Sequence, residues 1–259
     1  MSDNSKPARE VVQSFYDKFG WQTDGDKSGE DKLFRTFPRG YDAYQPFADK
    51  RVLKLLEGKT GSILFVGAGD MPANHVKLSE QFDTVACMDI SKLALELSEK
   101  KLGRGNYYLD SIVSTNLESA YFDVVYCAHV VYHIDKMEQE TAVRQMIRLT
   151  KPGGRIIIIY ANPHSPFAIP GEIARWLKRG RVGDNPELYY SAYPFSWWNR
   201  FRPRMMPWQI IGSRPARTLI RGSGTWFFKT AGWFEERFPK CAVKFWQYPI
   251  VIIDKADVS

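Results

Sequence analysis

Residues 63–72 read ILFVGAGDMP, and this stretch decides the fold. Its four apolar residues are typical of a buried strand, and they run into a turn that contains Gly67 and Gly69. Glycine is needed where the backbone takes unusual dihedral angles or where a ligand approaches the amide groups closely. Pro72 ends the stretch and suits the first turn of a helix. The stretch therefore predicts a strand, a glycine turn and a helix in succession.

The alternation of short apolar runs and helical patterns continues along the chain. Predicted strands cover residues 63–66, 84–88, 107–109, 124–127 and 155–160, and predicted helices cover 73–81, 92–101 and 137–150. Strands and helices that alternate at this spacing predict an α/β fold, a doubly wound and mostly parallel sheet with helices on both faces.

The composition is that of an ordinary globular protein. The chain has 259 residues, of which 44% are apolar and 25% charged, and this excludes disordered, collagen-like and disulfide-scaffold proteins. Its apolar runs are too short to span a membrane, and the polar N-terminus lacks the apolar core of a signal peptide. Cys87, Cys127 and Cys241 are too widely separated for a disulfide framework or a metal cluster. We therefore expect a cytoplasmic protein without a metal site.

The charge is distributed unevenly. Residues 1–150 carry 19 Lys and Arg against 22 Asp and Glu, whereas residues 151–259 carry 17 against 7. Seven of the eight tryptophans also follow residue 160. This asymmetry indicates either an anionic, flat or amphipathic partner for the C-terminal part, or a basic solvated face over an aromatic core.

Asp89 follows the second predicted strand, twenty residues after Gly69. A carboxylate in this position can accept hydrogen bonds from the two hydroxyls of an adenosine ribose. A dinucleotide-binding turn would carry a third glycine at position 72, where its amide faces a pyrophosphate. Pro72 has no amide hydrogen to donate. The turn therefore favours an adenosine cofactor without a diphosphate.

Five segments in order resemble those of the class I S-adenosylmethionine-dependent methyltransferases, particularly the small-molecule branch. They are residues 66–69 (VGAG), 88–91 (MDIS), 109–112 (LDSI), 122–127 with 131–134 (FDVVYC, VYHI) and 149–155 (LTKPGGR). The resemblance implies a Rossmann-like, seven-stranded, mostly parallel sheet with an N-terminal helical lid and an insertion after the fifth strand. It also implies S-adenosylmethionine as the cofactor and S-adenosylhomocysteine as its product.

The resemblance also implies which residues hold the cofactor. They are Gly67, Ala68, Gly69, Asp89, Ile90, Asp110, Ser111 and Cys127. Asp89 would face the ribose and Asp110 the adenine amino group. The chain departs from the family at Phe65, where an acid is usual, and at Met71, where a third glycine is usual. Asp70 is a partial substitute for the missing acid.

We predict four segments along the chain. They are a helical N-terminal lid (1–60), the cofactor-binding Rossmann-like core (61–160), an acceptor-binding insertion (161–225), and a C-terminal helix and strand that complete the sheet (226–259). Further predicted elements are helices at 8–20, 44–56 and 226–237, helical pieces at 171–178 and 196–200, and a strand at 243–253.

Three histidines are candidates for acid–base chemistry because imidazole titrates near neutral pH. His129 lies just past the fourth predicted strand, at the edge where such sheets bind ligands, and is the candidate base or acceptor-orienting group. His133 lies one helical turn further on and is a second catalytic candidate, with packing as the favoured alternative. His164 follows the fifth strand and is a candidate for acceptor binding.

Aromatic and basic residues complete the predicted acceptor site. Tyr16 and Trp21 are candidate lid residues, and Trp197 and Arg200 represent the basic aromatic insertion. The insertion suits an aromatic pocket for an anionic small molecule, a patch that lies on anionic lipid, or, least well, a platform for RNA. Stable nucleic-acid binding is not expected, because the chain has no separate RNA-binding module. It also has Cys-Ala-His after the fourth strand, in place of the Asn/Asp-Pro-Pro-Tyr signature of enzymes that methylate amino groups of nucleic acids.

The sequence therefore predicts methyl transfer from S-adenosylmethionine to an oxygen or nitrogen of a small, anionic or aromatic metabolite. Two alternatives remain open. The altered glycine turn is compatible with a non-catalytic binding or scaffold subunit. A nicotinamide-dependent oxidoreductase is disfavoured by Pro72.

Overall fold

The computed structural model describes residues 7–24, 27–28, 44–167, 188–210 and 224–257. Its centre is a seven-stranded sheet with the strand order β5-β4-β3-β6-β7-β9-β8. The strands are β3 (Ser62–Val66), β4 (Thr84–Asp89), β5 (Asn106–Leu109), β6 (Phe122–Ala128), β7 (Thr150–Ile159), β8 (Arg204–Gln209) and β9 (Tyr248–Asp254). The first five of these are parallel, and β9 is antiparallel to both β7 and β8. The predicted doubly wound, mostly parallel sheet is confirmed.

Eight helices accompany the strands in the described part of the chain. They are α1 (Ala8–Phe15), α2 (Gln45–Leu56), α3 (Ala73–Ser79), α4 (Lys92–Leu102), α5 (Gln139–Leu149), α6 (Phe195–Trp198), α7 (Gly224–Arg237) and α8 (Pro239–Phe245). A π-helical turn, Tyr16–Gly20, extends α1, and β1 (Thr23–Asp24) pairs with β2 (Lys27–Ser28) in a separate hairpin.

The central strands are buried on both faces, as continuous apolar runs in a parallel sheet require. Along β3 the side chains alternate between two core clusters: Leu64 and Val66 pack into one, and Ile63 and Phe65 into the other. Phe65, which replaces the usual acid, is 1% exposed and stacks on His75. The local pattern of the sequence therefore placed this strand and its two faces correctly.

The structure corrects the prediction for the end of the insertion. Residues 204–209 form the edge strand β8, although their proline and arginine content did not indicate a strand. Pro207 is tolerated because β8 lies at the edge of the sheet, where it need not donate to a further strand. The predicted helical piece at 196–200 is present as α6 and a following 3₁₀ turn. The piece predicted at 171–178 lies outside the described residues.

The predicted last strand begins too early. Residues 239–245 form α8, and β9 starts only at Tyr248. Pro239 occupies the first helical position, which its fixed φ angle suits. Ala242 and Val243 are buried on the inner side of α8, so an apolar run that resembled a strand is the packed face of a short helix.

A buried carboxylate joins the C-terminal helices to the N-terminal part. Glu235 on α7 accepts hydrogen bonds from Tyr44, from the Arg51 guanidinium on α2 and from the Trp246 indole. Burial raises the pKa of Glu235 to about 7, although Arg51 opposes the rise. Arg51 and Tyr44 also donate to the carbonyl of Trp208, so this network holds β8, α2 and α7 together. None of the helices in the described ranges is long and apolar enough to cross a bilayer.

Candidate cofactor and acceptor site

The glycine turn after β3 has a backbone that requires glycine at two positions. Gly67 has φ +62° and Gly69 has φ +58°, in the left-handed region that side chains disfavour. A Cβ atom at Gly67 would overlap the side chain of Val130, and one at Gly69 would lie 2.8 Å from the indole of Trp21. The side chains of Val130 and Trp21 therefore leave no room for a methyl group at Gly67 or at Gly69.

Asp89, the last residue of β4, holds this turn. Its carboxylate accepts hydrogen bonds from the backbone N–H of Gly69 and of Ser91, both at 2.9 Å. Burial raises the pKa of Asp89 to about 6, against the backbone hydrogen bonds that lower it, and the nearby carboxylate of Asp17 adds to the rise. Asp17 itself accepts a hydrogen bond from the Ser91 hydroxyl. Two carboxylates thus converge on the N-terminus of α4.

Residues of α4 complete the support of the turn. The Ser98 hydroxyl donates to the Gly69 carbonyl at 2.6 Å, and Lys101 pairs with Asp70 at 2.7 Å. Asp70 therefore braces the turn against α4. Met71 has φ +48° and a fully buried side chain, so core packing offsets the backbone strain at the position where the family usually has glycine. Ser98 and Lys101 were not singled out in the sequence, since nothing local links them to a turn almost thirty residues away.

The N-terminal segment covers the glycine turn. Tyr16 and Trp21 stack with their ring centroids 5.0 Å apart, and Trp21 is 7% exposed. The Trp21 indole contacts the turn at Gly69, and its N–H has no hydrogen-bond partner in the described structure. The structure thus brings both candidate lid residues to the edge of the sheet where Asp89 lies.

His129 directly follows β6 and has an unusual backbone. Its φ is +62°, and its N–H donates to the Ile159 carbonyl of β7 at 3.1 Å. Its Nδ1 lies 2.8 Å from the Tyr132 hydroxyl, and its ring contacts those of Trp208 and Tyr248 at centroid distances of 5.2 and 4.8 Å. A strained backbone that holds a titratable ring among aromatic side chains is typical of a functional position.

His133 is half-buried and lies beside the rings of Tyr132 and Tyr190, at centroid distances of 4.5 and 6.3 Å. Its Nδ1–H donates to the carbonyl of Tyr189, and burial lowers the pKa of His133 to about 4. The ring is therefore neutral at physiological pH and links the turn after β6 to residue 189. This geometry supports the packing interpretation of His133 rather than a catalytic one.

Replacing His133 with asparagine should remove one pH-dependent part of the stability. Because the pKa of His133 is lower in the folded state, its stabilising contribution is complete above pH 6.5 and is lost as the pH falls toward 4. We expect the difference in unfolding free energy between wild type and H133N to shrink by about 2 kcal/mol between pH 7 and pH 5. Denaturant unfolding at both pH values measures it. A pH-independent difference would contradict a neutral His133.

Comparison with known proteins identifies the domain. The family model described as a methyltransferase domain matches residues 64–158, which include the glycine turn, Asp89 and His129. Residues 64–158 therefore match a methyltransferase domain. Two curated relatives, the ubiquinone/menaquinone biosynthesis C-methyltransferases of Erwinia tasmaniensis and Yersinia enterocolitica, are 28% and 30% identical over 99 residues. The matched stretch spans 36% of this chain and 39% of each relative.

Solved structures share the fold of the methyltransferase domain. Magnesium protoporphyrin IX methyltransferase from Synechocystis PCC 6803, with bound S-adenosylhomocysteine, has a TM-score of 0.59 at 12% identity and covers 96% of this chain and 100% of its own. Phosphoethanolamine N-methyltransferase 1 from Haemonchus contortus also has a TM-score of 0.59, at 13% identity, and covers 97% of this chain and 49% of its own.

The chain's own residues fit the cofactor that this family of methyltransferases uses. Two apolar residues lie next to Asp89. Ile90 follows β4 and is half-buried, and Leu109 is the last residue of the neighbouring strand β5 and is 60% exposed. An apolar side chain this exposed beside a buried carboxylate suits the flat ring of an adenine. Asp110 and Ser111 form the next turn, in which the Ser111 N–H donates to the Asp110 carboxylate at 2.7 Å.

The structure describes the surroundings of four other candidate residues of the methyltransferase domain and its insertion. The Cys127 side chain is fully buried in the core, and burial raises the pKa of its thiol to about 12. His164 is exposed. Trp197 is buried and stacks on Tyr193. Arg200 lies over the Trp197 ring and pairs with Glu140 on α5, so the described contacts of both are structural.

Proposed function

We propose that this chain transfers a methyl group from S-adenosylmethionine to an oxygen or nitrogen of a small acceptor that carries an aromatic or other flat apolar group. One observation carries the proposal: the buried Asp89 carboxylate at the end of β4, held by the amide of Gly69 beside the exposed Leu109. This arrangement suits a nucleoside with two ribose hydroxyls and no diphosphate.

Asp89 and the residues around it would each contact a different part of the cofactor. Asp89 accepts the ribose hydroxyls and Ile90 and Leu109 flank the adenine. Gly67 and Gly69 give the turn the left-handed backbone that brings the Gly69 amide to Asp89. Trp21 covers the turn and excludes water from it. When bound, S-adenosylmethionine supplies an activated methyl group on a positively charged sulfur.

His129 is the proposed acid–base residue. In the tautomer in which its Nδ1–H donates to the Tyr132 oxygen, Nε2 can accept the proton that an acceptor hydroxyl or amine loses. The backbone hydrogen bond to Ile159 and the Tyr132 hydroxyl fix the ring, and a fixed base contributes through position as well as basicity. An oxygen or nitrogen acceptor needs such a group because it releases a proton on methylation.

The side chains around His129 favour an aromatic acceptor over an anionic one. Trp208 and Tyr248 lie against the imidazole. Of the three described arginines of the insertion, Arg200 and Arg204 are paired with carboxylates of α5 and β9, and Arg202 is exposed. Flat acceptors bind such ring-lined sites through stacking and apolar burial.

Calorimetric titration with S-adenosylhomocysteine, followed by a labelled-methyl assay on cell extract, tests this function. We expect binding in the micromolar range and a labelled small-molecule product. Binding without any labelled product would instead support a non-catalytic subunit, and binding of NAD alone would support an oxidoreductase. A product labelled on carbon, the atom named for the curated relatives, would replace the proposed oxygen or nitrogen acceptor.

The H129Q variant separates chemistry from binding. Loss of the base should lower the rate of label transfer by about 100-fold. S-adenosylhomocysteine should bind as to wild type, because the proposed cofactor contacts belong to Asp89, Ile90 and Leu109. Y132F, which removes the hydroxyl that orients the ring, should show a smaller loss. Equal rates for H129Q and wild type would refute the role of His129.

A further inference from the structure

The C-terminal helices α7 and α8 expose an unusual number of large aromatic side chains. Trp226 is 75% exposed, Trp233 58%, Phe238 46% and Phe245 47%. We call these four residues the aromatic face. Trp226 and Trp233 are seven residues apart on α7 and therefore lie on the same side of the helix. The Trp233 and Phe238 rings are 6.2 Å apart, so the exposed surface continues from α7 toward α8.

The opposite side of α7 is already packed. Phe228 and Ala231 are buried beside Tyr44, and Glu235 is the buried carboxylate that binds Arg51. A Cβ atom at Gly232 would lie 2.8 Å from the Phe47 ring of α2, so α7 packs closely against α2 at this position. The aromatic face is therefore a fixed surface of the folded chain.

Positive charge surrounds the aromatic face. Four exposed cations, Lys229, Arg237, Lys240 and Lys244, lie within residues 224–245, against Glu236 as the exposed carboxylate of that range. The Arg237 guanidinium lies over the Phe238 ring at 6.0 Å. Tryptophan prefers the boundary between lipid headgroups and acyl chains, and nearby Lys and Arg are attracted to anionic headgroups.

We propose that the aromatic face binds the surface of a membrane rich in anionic lipid, with Trp226 and Trp233 in the headgroup region. This binding goes beyond the proposed methyl transfer, which does not require it. The rings match the apolar part of a lipid surface, and the cations match its anionic headgroups. An RNA strand would instead call for rings along a groove that follows its phosphates, whereas these rings protrude from a helix.

The aromatic face lies near the proposed acceptor site, so membrane binding there would serve methyl transfer. The chain runs from α8 directly into β9, whose first residue, Tyr248, lies against His129. The Trp208 ring, which also contacts His129, belongs to β8, and the Glu235 network joins β8 to α7. A membrane bound at the aromatic face would therefore lie at the same edge of the sheet as the acceptor site, close to an acceptor dissolved in lipid.

Vesicle sedimentation of the full chain tests the proposal. Wild type should bind vesicles that contain phosphatidylglycerol and bind phosphatidylcholine vesicles much more weakly, by about fivefold for each cation engaged. The double variant W226A/W233A should lose about tenfold in affinity per ring removed. Tryptophan emission of wild type should shift to shorter wavelength on binding, and this shift should be absent in the double variant.

The matched control is Y121A, which removes an aromatic ring that is 42% exposed next to the start of β6, at the opposite edge of the sheet. It should bind vesicles like wild type. Both variants change exposed side chains, and thermal melting confirms that they fold. Equal vesicle binding by W226A/W233A and wild type would overturn the proposal, as would wild type that binds no anionic vesicle.

Two other occupants of the face are distinguishable. Sedimentation equilibrium would reveal a second copy of the chain, as a dimer that W226A/W233A abolishes while neither protein binds vesicles. Fluorescence anisotropy with a labelled RNA would reveal RNA as the occupant, through binding that W226A/W233A abolishes while neither protein binds vesicles. Either result would replace the membrane as partner. S-adenosylhomocysteine binding is measured separately, so failure of the methyltransferase proposal leaves this test intact.

Discussion

Replacing Asp89 with asparagine should weaken S-adenosylhomocysteine binding by about 100-fold. The carboxylate is the acceptor proposed for both ribose hydroxyls, and hydrogen bonds to a charged group are the strong ones. The amide also cannot accept at both of its heavy atoms, so it would lose a hydrogen bond from either Gly69 or Ser91. Calorimetric titration of the purified variant measures the loss.

The control for this variant is D83N. Asp83 is exposed and precedes β4, at the opposite end of the strand that Asp89 ends. It should bind S-adenosylhomocysteine like wild type. If D89N kept wild-type affinity while folding normally, the proposed location of the ribose would be wrong.

Replacing Gly67 with alanine should cost stability and cofactor binding together. A left-handed backbone costs a residue with a Cβ atom about 1–2 kcal/mol, and the overlap with Val130 adds about 1–3 kcal/mol. Relief of that overlap would displace either Val130 or the turn that Asp89 holds. We expect a lower unfolding free energy in denaturant and no detectable binding of S-adenosylhomocysteine.

Two further variants separate the cost of the left-handed backbone from the cost of the overlap with Val130. Gly103 has φ +63°, like Gly67, but a Cβ atom there meets nothing within 4 Å. G103A should therefore show only the backbone cost, and the difference between G67A and G103A gives the cost of overlap. G67A/V130A should regain part of the lost stability because the smaller side chain leaves room. No recovery in the double variant would assign the whole effect to the backbone.

The parallel core could be predicted because its signals are local. The apolar run of β3, the glycines of the turn and the carboxylate of β4 lie close together in sequence, and a parallel sheet brings the ends of such strands to one edge. The edge strand β8 could not be predicted this way. Its proline is acceptable because β8 is the edge strand of the sheet that the described residues form, and that depends on the whole sheet.

The residues proposed to hold the cofactor could be singled out from the sequence, whereas the environment of His129 could not. The strand pattern placed His129 at the ligand edge, but its partners Trp208 and Tyr248 come from segments about 80 and 120 residues further along the chain. Arg200 shows the opposite case. It was a binding candidate by composition, and its guanidinium is paired with Glu140.

The sequence by itself determined the alternating strands and helices, the two glycines of the turn and the carboxylate twenty residues later, since periodicity and spacing are local properties. Only the tertiary structure decided what covers and surrounds them: Trp21 on the turn, Asp17 at Ser91, and the rings around His129. The aromatic face belongs to this second group. An apolar helix residue becomes buried or exposed according to which side of the helix the rest of the fold occupies.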